Sequence, residues 1–232
     1  MSERDQILAR VREALRAPAP FPGHHASDGH APAAANSVHP PRGGARQWLP
    51  QVGPSFDEQI ELFAANALEL KAEFLLLDSP AELAPRLTRL REAHGWKRVA
   101  SHDGPLTDLA VTALGLPTLL TDRPYDVNEL ERCDVGITEC DALVAQTGSV
   151  LVTNRSAGGR ALSVLPPHHV VLAKRDQLLP DLPGAFELLQ TRYAAAYPSF
   201  ISLITGPSRT GDIERILVLG AHGPKKLTIL CL

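Results

Sequence analysis

No apolar run in this sequence approaches the length of a membrane span, and the opening Met1-Ser2-Glu3-Arg4-Asp5-Gln6 lacks the apolar core of a secretory signal. A bacterial-type cytoplasmic protein is the expectation. Cysteine is scarce. Cys133, Cys140 and Cys231 are odd in number and form neither a CxxC pair nor a zinc-ligand spacing. They read as reduced, mostly buried thiols, and they fall short of the four close thiolates that an iron–sulfur cluster requires. Neither a cluster nor a metal centre is expected in this chain. No sign of charge prevails: 23 Lys and Arg stand against 26 Asp and Glu, for a formal charge of −3, with the basic residues scattered. That pattern carries no electrostatic footprint for nucleic acid or acidic lipid. Internal repeats, a GxGxxG run and a P-loop are all missing, which removes the usual nucleotide fingerprints.

What is present is a globular composition, 44% hydrophobic over 232 residues, enough for one large domain or two small ones. A chain of this length buries roughly 70% of its surface on folding. Ser2-Glu3-Arg4-Asp5 has the form of a capping box, and Ile7, Leu8, Val11 and Leu15 follow at helical spacing, predicting an amphipathic helix over 1–16. From 17 to 54 the pattern dissolves into Pro, Gly, Ala and His, a composition that cannot bury enough to offset ordering, so a linker is expected. His24, His25, His30 and His39 lie there, but ligands on a flexible chain without supporting partners are poorly preorganised for a metal.

A second capping signal, Ser55-Phe56-Asp57-Glu58, opens a helix that places Phe56, Ile60, Phe63, Ala67 and Leu70 on one face, and the folded domain is expected to span 55–232. Strand-like and helix-like segments then alternate: 74–77, 80–93, 98–101, 106–114 and 118–121. Such alternation predicts an α/β fold with a mostly parallel sheet flanked by helices. Two short apolar runs, 142–145 and 150–153, flank Gln146-Thr147-Gly148-Ser149 and predict a hairpin or a strand–turn–strand corner. Further strands are expected at 169–173 and 227–230, with a helix at 184–193.

The densest chemistry lies near the C-terminus. Phe200, Ile201, Leu203 and Ile204 predict a buried strand ending at Thr205-Gly206-Pro207-Ser208-Arg209-Thr210-Gly211-Asp212-Ile213-Glu214, with Gly220-Ala221-His222-Gly223-Pro224 beyond. In open α/β sheets ligands bind outside the carboxyl ends of the strands, because helices cover both faces. Gly206 and Gly211 permit close backbone approach, Ser208 and Thr210 donate or accept, and Arg209 can grip a carboxylate or phosphate through two parallel bonds. The same residues also suit an ordinary turn, with Thr210 capping a helix through Ile213, Ile216 and Leu217 and Asp212 in its first turn. His222 is a candidate general acid or base near neutral pH. His168 and His169 read as structural, and Tyr125 and Asp126 as turn residues that could line the same crevice.

Taken together, Gly136-Ile137-Thr138 with Asp141, Thr147-Gly148-Ser149, Thr205-Gly206-Pro207-Ser208 with Asp212-Ile213-Glu214, and Gly220-Ala221-His222-Gly223-Pro224 resemble the lactate utilization protein C family, whose domain is called LUD. The match runs in order over about 55–232. The resemblance implies a fold similar to that of CoA transferases, sugar-phosphate isomerases and formyltetrahydrofolate cyclo-ligase. It implies a part in oxidising L-lactate to pyruvate beside iron–sulfur partner proteins, this chain being the member without a cluster. Family members usually carry Glu before the first Thr-Gly, whereas this chain has Gln146. An amide there can hydrogen-bond but cannot act as nucleophile or base, so acyl transfer through that position is not expected.

The leading expectation is a component of an L-lactate utilization system that binds a small anionic ligand through Thr138, Gln146, Thr147, Gly148, Ser149, Thr205, Gly206, Ser208, Arg209 and Thr210, with His222, Asp212 and Glu214 as candidate catalytic groups. The alternatives are a stand-alone transferase, isomerase or ATP-dependent ligase using the same crevice, and a non-catalytic assembly protein.

Overall fold

Ser55 starts the first described helix as its capping signal predicts. Its side chain accepts from the Glu58 backbone N–H, while the Glu58 carboxylate accepts from the Ser55 backbone N–H, and α1 runs over Phe56–Glu69. Ile60, Phe63 and Ala67 are buried, while Phe56 and Leu70 at the ends are half-covered. Each large apolar side chain taken fully out of water contributes about 1.5–3 kcal/mol. The structure, a computed structural model, describes residues 51–210, 218–220 and 222–232, together with positions 9 and 13. All but those two positions of the expected helix over 1–16, most of the linker over 17–54 and the alternative helix through Ile213, Ile216 and Leu217 lie outside the described residues. The fold set out below belongs to the unit Gln47–Leu232.

After α1 the elements are β1 (Glu73–Leu76), a 3-10 turn (Pro80–Glu82) leading into α2 (Leu83–His94), β2 (Val99–Ser101), α3 (Pro105–Leu114), β3 (Thr118–Leu120), α4 (Val127–Glu131) and β4 (Val135–Thr138). Then come β5 (Ala142–Val144), a 3-10 turn (Ala145–Thr147), β6 (Ser149–Thr153), β7 (His168–Ala173), β8 (Leu178–Leu179), α5 (Leu182–Tyr193) and β9 (Ile201–Ile204). Two short strands, β10 (Arg209–Thr210) and β11 (Val218–Leu219), and the closing β12 (Lys226–Cys231) follow.

A six-stranded sheet has the order β1-β12-β7-β4-β2-β3, and every neighbouring pair in it is parallel. A second sheet of four strands, β8-β5-β6-β9, holds the β5–β6 hairpin, with β9 antiparallel to β6 at its edge. The pleat sends alternate side chains of a strand to opposite faces. Val170 and Leu172 of β7 accordingly join Leu87, Leu114 and Leu230 beneath α2 and α3, whereas Val171 and Ala173 join Phe63, Leu143, Val150 and Ile229 between α1 and the two sheets. α5 covers the far face of the small sheet, with Ala185, Leu189 and Tyr193 against Ala142, Val144 and Leu151.

The parallel α/β class follows the expected alternation, but the strand before the glycine-rich cluster corrects it. Ile201 and Leu203 of β9 are 39% and 36% exposed, so the expected buried strand is an edge strand of the second sheet and not a member of the parallel one. Among the described residues its one neighbour is β6, and one row of its backbone groups faces away from that ladder. Thr210 lies in β10, paired with Val218 of β11, and not at the helix cap that the alternative reading of this segment gave it.

Candidate functional site

The carboxyl edge of the parallel sheet is where a ligand is first expected. Here the chain fills that crevice itself. Glu139, just beyond β4, accepts from the backbone N–H groups of Leu106 (2.8 Å) and Thr107 (3.3 Å) at the start of α3. A carboxylate is favourable at the positive end of a helix, so the place an anion would take is occupied. Buried His102 beside it receives the Glu139 backbone N–H on Nε2 at 3.2 Å.

The two motif segments meet elsewhere, at the C-terminal turn of α1. Ser149 Oγ and Thr205 Oγ1 are 2.8 Å apart, and Val150 pairs with Ile204 across the β6–β9 ladder. Asn66 of α1 donates from Nδ2 to the carbonyls of Ala145 (2.8 Å) and Gln146 (3.2 Å), tying the helix to the 3-10 turn. Gly148 has φ +61°, and a Cβ there would stand 2.8 Å from Asn66 Cβ and 2.9 Å from the Ala67 nitrogen. Gly206 has φ +78°, and a Cβ there would stand 2.7 Å from the Leu70 carbonyl oxygen. Both turns therefore need glycine for conformation and for room, and both are pressed against the same helix.

Between them lies a cleft of about 320 Å³ lined by Asn66, Glu69, Leu70, Gln146, Thr147 and Arg209. The Arg209 guanidinium folds over Gly206, its Nη2 3.4 Å from where a Cβ would be, and it forms no ion pair among the described residues. Thr147 Oγ1 is buried and has no hydrogen-bond partner among the described residues. A buried hydroxyl left in that state costs about 1–3 kcal/mol, which a bound acceptor or donor would recover.

Of the residues the sequence points to, Gln146, Thr147 and Arg209 line the cleft, while Gly148, Ser149, Thr205 and Gly206 build its frame. Ser208 is used locally: its N–H donates to Pro224 O (2.9 Å) and its carbonyl accepts from Gly220 N (3.0 Å), which brings the exposed His222 turn alongside. Thr138 stands apart. It is wholly buried in the main sheet, with Oγ1 2.9 Å from His169 Nε2. Asp212 and Glu214 lie outside the described residues, as does the side chain of Thr210. Tyr125 and Asp126 line a different cleft, beside β3. Asn66, Glu69 and Leu70 were missed as site residues, since α1 precedes both motifs by many residues and only its apolar face has a sequence signature.

Asp141, part of the first motif, is 2% exposed and satisfied on both oxygens. Oδ1 accepts from Arg192 (3.0 Å) and Tyr193, and Oδ2 accepts from Ser156 Oγ at 2.6 Å. Burial, then the bond to Asp141, push the Tyr193 hydroxyl pKa up. This network ties α5 to the small sheet.

A two-sheet α/β unit whose glycine turns clamp one helix beside a polar cleft is thus the class defined by fold and site. The family model of the LUD domain matches residues 108–232, and the chain belongs to that family. Similar proteins include lactate utilization protein C of Anoxybacillus flavithermus, 29% identical over 191 residues that make up 77% of this chain and 82% of that one. Lactate utilization protein C of Geobacillus kaustophilus is 28% identical over 216 residues, 85% and 88% of the two chains. In fold the chain is similar to a crystal structure of a DUF162 family protein from Deinococcus radiodurans, with a TM-score of 0.61 and 22% identity over 77% of this chain and 99% of that one. Among the described residues no helix is long and apolar enough to cross a membrane.

Proposed function

We propose that the protein acts in lactate utilization, as a component of a cytoplasmic system that oxidises L-lactate to pyruvate with iron–sulfur partner proteins, and that it binds a small anionic ligand in the α1 cleft. The relatives' names support the pathway. The observation that carries the ligand reading is the convergence of both motif turns on a cleft holding an Arg209 without an ion pair and a Thr147 hydroxyl without a partner among the described residues. In this reading Arg209 grips the anion, Thr147 and Gln146 hydrogen-bond it, and the Gly148 and Gly206 turns hold α1 close enough to shape the pocket. His222, Asp212 and Glu214 are the candidate acid–base groups.

Arg209→Lys keeps the charge but loses the planar two-bond fork. Cells carrying it should grow poorly on L-lactate while the purified protein melts normally. Normal growth with normal melting removes Arg209 from the site.

A further inference from the structure

β9 (Ile201–Ile204) forms one edge of the small sheet, and nothing in its sequence guards that edge. Sheet edges in folded proteins are commonly blunted by charge, by proline, by a bulge or by very short strands. The other edges of the two large sheets follow that pattern: β1 opens on Glu73, β3 has three residues and β8 has two. By contrast, the segment Ser199-Phe200-Ile201-Ser202-Leu203-Ile204-Thr205 around β9 holds neither a charge nor a proline. Ile201 and Leu203 stand opposite Thr153 and Leu151, on the face that α5 covers elsewhere, and both are exposed. Phe200 and Ile204 pack on the α1 side. The Asn154 N–H donates to the Phe200 carbonyl at 3.1 Å, one position beyond the β6–β9 ladder. Antiparallel ladders alternate, so Phe200, Ser202 and Ile204 turn their N–H and C=O groups to β6, while Ile201 and Leu203 turn theirs outward. Among the described residues no other strand meets those outward groups.

The segment is also complementary to itself. In either direction it runs hydroxyl, apolar, apolar, hydroxyl, apolar, apolar, hydroxyl, centred on Ser202. We infer that β9 is an interface between two copies of this chain, pairing antiparallel with the partner's β9 about a two-fold axis at Ser202. Ile201 then faces the partner's Leu203, and the pair exchanges an N–H···O bond in both directions, so every outward donor meets an outward acceptor. The partial charges of the two backbones are complementary under that axis, and no like side-chain charges come together. Both apolar rows continue across it. Ile201 and Leu203 meet the partner's Leu203 and Ile201 on one face, and Phe200 and Ile204 meet the partner's Ile204 and Phe200 on the other. Moving the axis to Leu203 or Ile201 would set an apolar side chain against the partner's Thr205 or the partner's Ser199, so the pattern fixes the register. An isologous contact of this kind closes after two copies. It is independent of what the α1 cleft binds.

Sedimentation velocity of the full-length protein tests this. A contact of one strand per copy lies at the low end of interface sizes, so the mean mass should rise from monomer toward dimer between about 10 μM and 1 mM. Leu203→Pro removes an outward N–H and none from the β6 ladder, and should weaken association about tenfold or more. Leu203→Lys puts a charge in the exposed apolar row and should act likewise, replacing the proline variant if melting shows that variant to be unfolded. Cysteine cross-linking reads the register, because directly opposed residues of a non-hydrogen-bonded pair have Cα atoms about 4.5 Å apart, within disulfide reach. Mild oxidation should link Ser202→Cys into a covalent dimer and leave Leu203→Cys, whose counterpart lies two residues along the partner strand, largely unlinked. Cys133, Cys140 and Cys231 are buried and stay out of the reaction. A protein that is monomeric at every concentration overturns the inference: slow amide exchange at Ile201 and Leu203 then assigns the edge to another segment of this chain, and fast exchange leaves it to a different protein. A dimer that both Leu203 variants leave intact, or cross-linking through Leu203→Cys in place of Ser202→Cys, overturns it as well.

Discussion

Lowering the pH from 7 to 5 should strip this protein of a large share of its stability, because two adjacent histidines of β7 are folded in neutral form. His168 and His169 each have a pKa lowered from 6.5 to about 3, by burial in both cases and by His94, Lys226 and His169 in addition for His168. Between those values the unfolded chain takes up a proton at each ring and the native state does not, so unfolding gains as pH falls. The stability is intact above 6.5, declines through the window, and is fully lost only near the folded pKa. From 6.5 to 5 the cost is about 1.4 kcal/mol per pH unit for each ring, or about 2 kcal/mol each and about 4 kcal/mol for the pair. His94, lowered by burial and by Lys226 against the pull of Glu73, acts in the same direction. Domains are commonly stable by about 5–15 kcal/mol, so the effect should dominate urea titrations run at pH 7, 6 and 5. His169→Gln keeps an amide that can hydrogen-bond Thr138 and does not titrate, so it should remove about half of the slope. A stability that changes by less than about 1 kcal/mol between pH 7 and 5 in the parent protein would refute the neutral-histidine account.

Gly148→Ala should destabilise by about 2 kcal/mol or more, since it adds backbone strain at φ +61° and a Cβ against Asn66 and Ala67; an unchanged melting temperature would contradict the clamp. Asp141→Ala should cost about 3–5 kcal/mol by leaving Ser156, Tyr193 and Arg192 without their shared acceptor, as read from chemical denaturation.

The sequence by itself determined the local elements. The Ser55 and Glu58 cap, the apolar spacing of Ile60, Phe63 and Ala67, and the apolar runs of β7 and β12 have short-range signatures, because helix and strand periods are properties of neighbouring residues. Their alternation was enough for a parallel α/β fold. The motif around Thr147-Gly148-Ser149 and Thr205-Gly206 was legible as chemistry, but its geometry was not. Short-range pattern cannot tell which sheet a strand joins, so β9 read as a buried strand of the main sheet when it closes the edge of the other one. α4, β8, β10 and β11 are so short that no period develops within them. Only the tertiary structure decided that Glu139 fills the carboxyl-edge crevice, that α1 supplies Asn66, Glu69 and Leu70 to the cleft, and that Thr138 serves His169 inside the core. The neutrality of His168 is of the same kind. Its cause is first the burial and then His94 at the end of α2 and Lys226 of β12 beside it, and desolvation has no address in a linear sequence.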